Sequence, residues 1–317
     1  MRNINAWRRF VPSFSWLFFV AIVALNFYVS PYIAKLAVMA GMVGVALPLM
    51  LGAMAATPSI LSGRGGIDLS IGPLMGLVNI VIVASFTAGW QVSAPIIVIA
   101  VLILGAAVGA LNGVLVSILR LQPIVATLGT FLILGGVNLW LMPIPTGPSP
   151  EWVGIFARSH FGMPGGLMLL GVAAAVWLLL LATPFVTTLL AVGGDDRVAL
   201  TVGISVTKVR VLAYALGGFF AALAGIALTG LIGSADASVG SPFTLQVITA
   251  VALGGISLGG GKGSMFASIR GALSLFLIQN LLTNLGVSIF WQQVCFGATL
   301  LMSLMLSSPI LIRRTGV

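Results

Sequence analysis

Apolar runs of about 20 residues follow one another along the whole chain, separated by short segments of glycine, proline or charge. A helix of about 20 apolar residues crosses the hydrocarbon core of a bilayer. With 60% hydrophobic and only 6% charged residues, the chain lacks the polar side chains that would cover a water-soluble fold. The sequence therefore predicts an all-α, polytopic membrane helix bundle, a single transmembrane domain over residues 1–317.

About ten membrane-spanning helices are expected, with breaks where glycine, proline and charge interrupt the apolar runs. The predicted spans are residues 14–29, 36–56, 69–88, 94–117, 124–142, 167–190, 211–232, 242–258, 264–282 and 287–307.

The basic residues indicate an orientation. If the amino terminus is cytoplasmic, one side collects eleven of the 14 Lys and Arg: Arg2, Arg8, Arg9, Arg64, Arg120, Arg197, Lys208, Arg210, Lys262, Arg313 and Arg314. Lys35 and Arg158 fall on the other side, and Arg270 falls within a span. This positive-inside bias predicts cytoplasmic amino and carboxyl termini. Because the basic residues lie at the ends of apolar runs instead of on one face, no nucleic-acid partner is expected.

One polar window interrupts this pattern. Residues 191–210 hold five of the chain's charges: Asp195, Asp196, Arg197, Lys208 and Arg210. We predict a cytoplasmic loop with a short helix that begins at Asp195 or Asp196 and ends near Gly203. Exposed Val198, Leu200 and Val202 would form an apolar knob with a charged rim. The alternative is an amphipathic segment that lies flat on the lipid.

Glycines serve two expected purposes. Small residues at helix spacing allow helices to pack closely in a membrane, as expected for Gly105, Gly109, Gly113, Gly217, Gly218 and Gly225. The runs at 63–66 and 259–263 bracket charges and predict broken segments buried in protein. The octapeptides GGIDLSIG (65–72) and GGISLGGG (254–261) match at five positions, which leaves open a true repeat or a chance match.

Asp68 is the acidic residue closest to a span. It is expected to pair with Arg64 or to cap the following span, with a proton relay as the functional alternative. The other acids lie in predicted loops, so a proton-coupled carrier would lack further carboxylates at membrane depth. Neutral polar residues at depth suit either interhelical hydrogen bonds or a pathway for a polyhydroxylated solute. The pathway candidates are Asn79, Asn112, Asn138, Gln246, Thr249, Gln279 and Asn280.

Nothing in the sequence predicts an enzyme. Paired carboxylates at depth are missing, His160 is the one histidine, and no GxxxxGK[ST] phosphate loop occurs, so we expect no catalytic residue, bound cofactor or metal. The longest predicted extracytoplasmic loop, residues 143–166, contains five prolines and is expected to lack a regular helix. It suits either a landing surface for a soluble partner or a plain linker.

Three motifs in order resemble the inner-membrane permeases of bacterial ABC importers for monosaccharides, the type that serves ribose, xylose, galactofuranose and autoinducer-2. They are GGIDLSIG at 65–72, RLQPIVATLGT at 120–130 and AVALGGISLGGGKG at 250–263, and the similarity runs over about residues 34–309. The positions that carry these motifs are Gly66, Asp68, Ser70, Pro123, Thr127, Gly254 and Gly255.

The resemblance implies that residues 191–210 contain the coupling helix that docks on a separate cytoplasmic ABC ATPase. That role falls on Gly193, Gly194, Asp195, Asp196, Arg197, Ala199, Leu200, Gly203 and Ile204. The chain departs from the family where Asn-Pro-Glu is usual and Asp195, Asp196 and Arg197 stand. ATP and Mg would be bound by the ATPase. A periplasmic sugar-binding protein and a second permease, identical or homologous, would be the other partners.

The expected function is therefore the permease subunit of an ATP-driven monosaccharide importer in the bacterial inner membrane. The alternative is an ATP-independent secondary carrier or channel for a small neutral polar solute.

Overall fold

The computed structural model describes residues 2–89, 92–160 and 163–307; Arg313 and Arg314 of the predicted cytoplasmic set lie outside these residues. About three-quarters of the described chain is helical. The helices are α1 (Arg2–Val29), α2 (Leu36–Leu61), α3 (Ile71–Thr87), α4 (Ala94–Ser117), α5 (Pro123–Leu141), α6 (Glu151–Ala157), α7 (Leu167–Leu181), α8 (Phe185–Gly194), α9 (Asp196–Thr201), α10 (Val206–Ile232), α11 (Phe243–Leu253), α12 (Met265–Asn284) and α13 (Ile289–Ser307). A short 3-10 helix, Pro31–Ala34, follows α1, and two two-residue strands, β1 (Ser159–His160) and β2 (Met163–Pro164), pair antiparallel.

Five helices of the described residues are long and apolar enough to cross a membrane: α2, α4, α5, α10 and α12. A sixth span results if α7 and α8 are taken together, although they meet at a bend of 80°. Thr183 and Pro184 lie at this bend, because a proline cannot continue the helix that precedes it. The predicted span 167–190 is therefore a broken helix pair.

The other four predicted spans correspond to shorter apolar helices, which include α3 and α11. Each is shortened at the end next to a glycine-rich break: α3 begins only at Ile71, after the first break, and α11 ends at Leu253, before the second. The described part thus confirms an all-helical bundle apart from one strand pair, with five or six helices of membrane-spanning length.

The centre of the bundle is α10, which packs against α2, α3 and α4. Glycines bring α4 and α10 into backbone contact: a Cβ at Gly105 would lie 2.4 Å from the carbonyl oxygen of Gly218, and one at Gly109 would lie 2.1 Å from that of Tyr214. The expected close packing through GxxxG spacing is confirmed.

The predicted breaks at 63–66 and 259–263 are also confirmed, and they meet in space. Gly63, Gly193, Gly260 and Gly261 approach one another through their backbones, and we call these four residues the glycine junction. The N–H of Gly261 donates to the carbonyl of Leu61 at 3.1 Å. Both matching octapeptides are therefore breaks between helices on the same side of the bundle, while a true repeat stays a prediction.

The proline-rich loop 143–166 differs from its expectation, because it contains the helix α6 and the β1–β2 pair. Four of its prolines precede α6, and Pro150 is the residue from which that helix starts, so they direct the chain without interrupting a helix. The loop is fastened to the segment after α10 by reciprocal backbone hydrogen bonds between Thr146 and Ala235.

Candidate coupling site and buried polar clusters

The predicted short helix is present as α9. The side chain of Asp195 accepts hydrogen bonds from the backbone N–H groups of Arg197 at 3.0 Å and Val198 at 3.2 Å, which satisfies two donors at the start of the helix. Gly203, two residues past the end of α9, has a φ of +82°, a conformation that glycine adopts readily. The local prediction that an aspartate starts this helix and Gly203 ends it is confirmed.

Three apolar side chains of this segment point away from the bundle. Val198, Leu200 and Val202 are 58%, 59% and 70% exposed, and we call them the α9 patch. Ala199 is buried on the opposite side and Ile204 is half-buried, so α9 rests on the bundle with its apolar patch outward. The expected exposure of these three residues is confirmed.

The Asp196 carboxylate forms ion pairs with two arginines of this chain. Its Oδ2 lies 2.6 Å from Nε of Arg64 and 3.1 Å from Nη2 of Arg210. Partial burial works to raise the pKa of Asp196, but the hydrogen bond from Arg210 and the charge of Arg64 outweigh it and hold that pKa below its usual value. Arg64 therefore pairs with Asp196, and the expected pairing of Arg64 with Asp68 is wrong.

The two adjacent glycines of the coupling set have different surroundings. A Cβ at Gly193 would lie 1.8 Å from the carbonyl oxygen of Leu61 and 2.6 Å from the backbone nitrogen of Gly261. A Cβ at Gly194 would meet nothing within 4 Å. Gly193 is thus required by the backbone contacts of the glycine junction, whereas the space around Gly194 would accept a side chain.

Asp68 belongs to a buried polar cluster. Its Oδ1 accepts from the backbone N–H of Ser70 at 2.9 Å and from the hydroxyl of Ser70 at 2.6 Å, just before α3 begins. Asn112 of α4 donates to Ser70 Oγ at 2.9 Å and accepts from the hydroxyl of Thr130 of α5 at 2.6 Å. Burial raises the pKa of Asp68, against the hydrogen bonds from Ser70 and Asn112. Asp68 therefore binds Ser70, the residue directly before α3, and the contacts of the described residues include no side-chain cap on α3 itself.

The motifs that carry the family resemblance meet in the structure. Pro123 is the first residue of α5, and one turn later the hydroxyl of Thr127 donates to the carbonyl of Ile67 at 3.2 Å, which joins the second motif to the first. Gly66 allows close approach to Ser59, because a Cβ there would lie 2.2 Å from the Ser59 carbonyl oxygen.

The third motif packs on α12. A Cβ at Gly254 would lie 2.2 Å from the carbonyl oxygen of Ala267, and Gly255 has a φ of +86°. These glycines permit the close turn between α11 and α12.

The pathway candidates fall into two groups by the helices that carry them. Three of them lie around α3 and make hydrogen bonds within the chain: Asn112 as described, Asn138 to the carbonyl of Pro73 at 2.9 Å, and Asn79 to the carbonyl of Ser234 at 2.9 Å. These bonds fit the interpretation that the three residues join neighbouring segments of the bundle.

The remaining pathway candidates lie on α11 and α12. Thr249 donates to the carbonyl of Leu245 in its own helix, and Asn280 donates to Asn26 of α1 at 2.9 Å. Gln246 and Gln279 are half-buried, and the contacts of the described residues include no side-chain hydrogen bond for either.

Two contacts of arginine were not foreseen from the sequence. Arg210 donates to Asp196 at 3.1 Å and to the carbonyl of Ser62 at 3.4 Å. Arg270 donates to Ser15 at 2.9 Å and to the carbonyl of Gly254 at 3.0 Å, with its guanidinium 4.3 Å from the centroid of the Trp16 ring. For Arg270, a basic residue inside an apolar run was the available signal, but its partners are distant in sequence.

Comparison with known proteins identifies the family. The model of the branched-chain amino acid transport system / permease component family matches residues 38–304. The chain is 36% identical over 252 residues to the ribose import permease protein RbsC of Escherichia coli (strain K12), covering 77% of each chain. It is 35% identical over 251 residues to RbsC of Bacillus subtilis (strain 168), covering 76% of each.

A third relative is the autoinducer 2 import system permease protein LsrC of Salmonella choleraesuis (strain SC-B67). The identity is 35% over 263 residues, covering 80% of this chain and 73% of that protein. No solved structure matches. The family match over most of the chain and the coverage of these relatives show that this protein belongs to the family of transport-system permease components.

Proposed function

We propose that this chain is the permease subunit of an ATP-driven monosaccharide importer in the bacterial inner membrane, and that α9 is its coupling helix. The observation that carries the proposal is the α9 patch, three exposed apolar side chains on a short helix that is capped by Asp195 and held by Asp196. Relatives named for the import of ribose and autoinducer 2 support a sugar or sugar-like solute.

The α9 patch suits a groove on a cytoplasmic ATPase. Apolar side chains at the centre of a contact and charged residues at its rim are typical of protein interfaces. Arg197 and Asp195 are both exposed beside the patch, whereas Asp196 is engaged in ion pairs, so the rim presents charges of both signs. ATP and Mg would then be bound and used by that separate subunit, and this chain would perform no catalysis.

The proposal includes ten membrane-spanning segments and cytoplasmic termini. Its ten segments would be the five long helices, the α7–α8 pair and the four shorter apolar helices. The shorter helices would lie at membrane depth with their ends buried in protein. The predicted cytoplasmic breaks that contain Arg64 and Lys262, together with the loop 191–210, lie around the glycine junction. One basic side agrees with the positive-inside rule.

The solute would pass between this chain and a second permease, identical or homologous, after delivery by a periplasmic sugar-binding protein. Gln246 and Gln279 are the pathway candidates that best suit this surface, because their side chains are half-buried and uncommitted to hydrogen bonds among the described residues. Neutral amides can bind hydroxyl groups without the desolvation cost of a full charge.

The experiment is reconstitution. The chain is produced with the ATPase and binding protein of its own transport system and should co-purify with the ATPase. The reconstituted complex should show ATP-dependent uptake of ribose, xylose, galactofuranose or autoinducer 2 into proteoliposomes. Leu200→Glu places a charge in the α9 patch and should abolish ATPase co-purification. Thr207→Glu, an equal charge change at an exposed position in the first turn of α10, should leave co-purification unchanged.

Two results would contradict the proposal. Gradient-driven uptake by this chain alone would favour the secondary carrier or channel. Normal co-purification and uptake with Leu200→Glu would show that α9 does not dock on the ATPase.

A further inference from the structure

The turn at residues 62–70 is connected to α9 through Arg64. This arginine lies between the ends of α2 and α3, and its Nε is 2.6 Å from the Asp196 carboxylate at the first residue of α9. Arg210 supports the same contact, because it binds Asp196 at 3.1 Å and the carbonyl of Ser62 at 3.4 Å. The turn and the helix are therefore joined by charge as well as by the glycine backbone contacts.

The same turn is connected to the interior on its other side. Thr127 of α5 donates to the carbonyl of Ile67 at 3.2 Å, and Asn112 of α4 donates to Ser70 at 2.9 Å. Ser70 directly precedes α3, which is buried along most of its length. A displacement of Arg64 would therefore reach the first turn of α3 and the polar cluster around Asn112.

The backbone at Arg64 adds a second observation. Arg64 has a φ of +56° and is flanked by Gly63 at +84° and Gly65 at +65°. Glycine adopts this left-handed conformation freely, but a long side chain adopts it at a cost in free energy. Backbone strain of this kind persists where the surrounding structure over-determines it, often at functional sites. The side chain, 62% exposed and engaged with Asp196, is what an arginine adds to this turn.

We infer that the Arg64–Asp196 ion pair is a positioning link that transmits displacement of α9 to the start of α3, and so couples the ATPase to the buried helices. This inference rests on the proposed docking of α9 and adds the route by which a movement of that helix enters the bundle. Arg64 contacts neither ATP nor solute in this scheme, and its effect passes through Asp196 and the turn at 62–70.

The test separates assembly from transmission. Wild type, Arg64→Gln, Arg64→Lys and the matched control Lys208→Gln are each purified with the ATPase and reconstituted. ATP hydrolysis is measured with and without the binding protein, with ribose as the sugar probe, beside the amount of ATPase retained and the unfolding temperature. Lys208 is an exposed basic residue of the first turn of α10 with no ion pair among the described residues.

Arg64→Gln should retain the ATPase and unfold near the wild-type temperature, since an exposed ion pair adds little stability. It should lose about fivefold or more of the binding-protein stimulation, the lower range for coupling between sites. Arg64→Lys should recover part of the stimulation, and Lys208→Gln should behave as wild type. In an Asp196→Asn background, Arg64→Gln should cause no further loss, because the two residues act as one unit.

Other results would overturn the inference. Wild-type stimulation by Arg64→Gln would show that the link transmits nothing. Loss of the ATPase from Arg64→Gln, with retention by wild type, would show that the ion pair only presents the docking surface. Equal losses from Lys208→Gln would assign the effect to net charge. Failure of wild type itself to bind an ATPase would contradict the proposed function instead.

Discussion

Gly193 lies against the carbonyl oxygen of Leu61, so closely that a Cβ on Gly193 would stand 1.8 Å from that oxygen. The contact brings the end of α8 onto the end of α2, and Gly261 joins both through its hydrogen bond to the same carbonyl. Three chain segments therefore meet by backbone contact beside α9. These segments form the base on which α9 stands.

Gly193→Ala should destabilise this base. The added methyl group meets backbone atoms that cannot rotate away, and overpacking of this kind costs about 1–3 kcal/mol. Thermal unfolding of the purified chain in detergent should show a lower midpoint for Gly193→Ala. Gly194→Ala is the control, because a Cβ there has open space. Equal midpoints for the two variants would contradict the close contact.

Thr130→Val should weaken the polar cluster around Asn112. It removes the hydroxyl that donates to Asn112 at 2.6 Å from another helix and leaves the buried Asn112 oxygen without this partner. A loss of about 1–2 kcal/mol is expected. Thr249→Val is the matched control, since the buried hydroxyl of Thr249 donates only within its own helix. The measurement is thermal unfolding of both variants in detergent. Equal destabilisation by the two changes would show that the interhelical hydrogen bond is unimportant.

Asp196→Asn should have a pH-dependent effect on stability. The folded protein holds the pKa of Asp196 below its ordinary value of 3.8, so the ionised carboxylate stabilises the fold above that pH. This contribution disappears as the pH falls through the lower folded pKa. Asp196→Asn should therefore unfold at a lower temperature than wild type at pH 7, with a loss of about 1–3 kcal/mol in the free energy of unfolding because Arg210 is buried. The two melting curves should converge as the pH falls below 3.8 and through the lower folded pKa; an undiminished difference in acid would exclude the ion pairs as its cause.

Asp68→Asn should leave ATP-driven uptake in place. An amide oxygen can accept the same hydrogen bonds from Ser70, and burial already raises the pKa of the native carboxyl group. Uptake by the reconstituted complex should also be insensitive to a protonophore. If a folded, ATPase-bound Asp68→Asn variant transported nothing, the proton-relay alternative for Asp68 would gain support.

Local interactions were predictable from the sequence. The start of α9 at Asp195 and its end before Gly203 depend on the residues that adjoin them, and the two glycine runs break helices because of their own backbone preferences. The apolar runs likewise indicated which segments favour a lipid environment over water. The predicted span 167–190 is a bent helix pair, and its bend was not predictable because the effect of Pro184 on direction depends on what α7 and α8 pack against.

Partners across the bundle were not predictable. Arg64 and Asp68 are four residues apart, a spacing that brings side chains together on a helix, but the left-handed backbone at 63–65 separates them. Arg64 instead meets Asp196, and Asn112 meets Ser70 and Thr130, because close backbone packing brings these segments together.

The class of protein, the helix breaks and the exposed apolar side chains of α9 could be read from the sequence, since each depends on hydrophobicity or on backbone preference within a few residues. The binding of Asp196 to Arg64 and Arg210, and the meeting of the glycine breaks in one base for α9, required the folded bundle. Ion pairs and backbone contacts depend on distances between remote segments, and those distances follow from how the whole bundle packs.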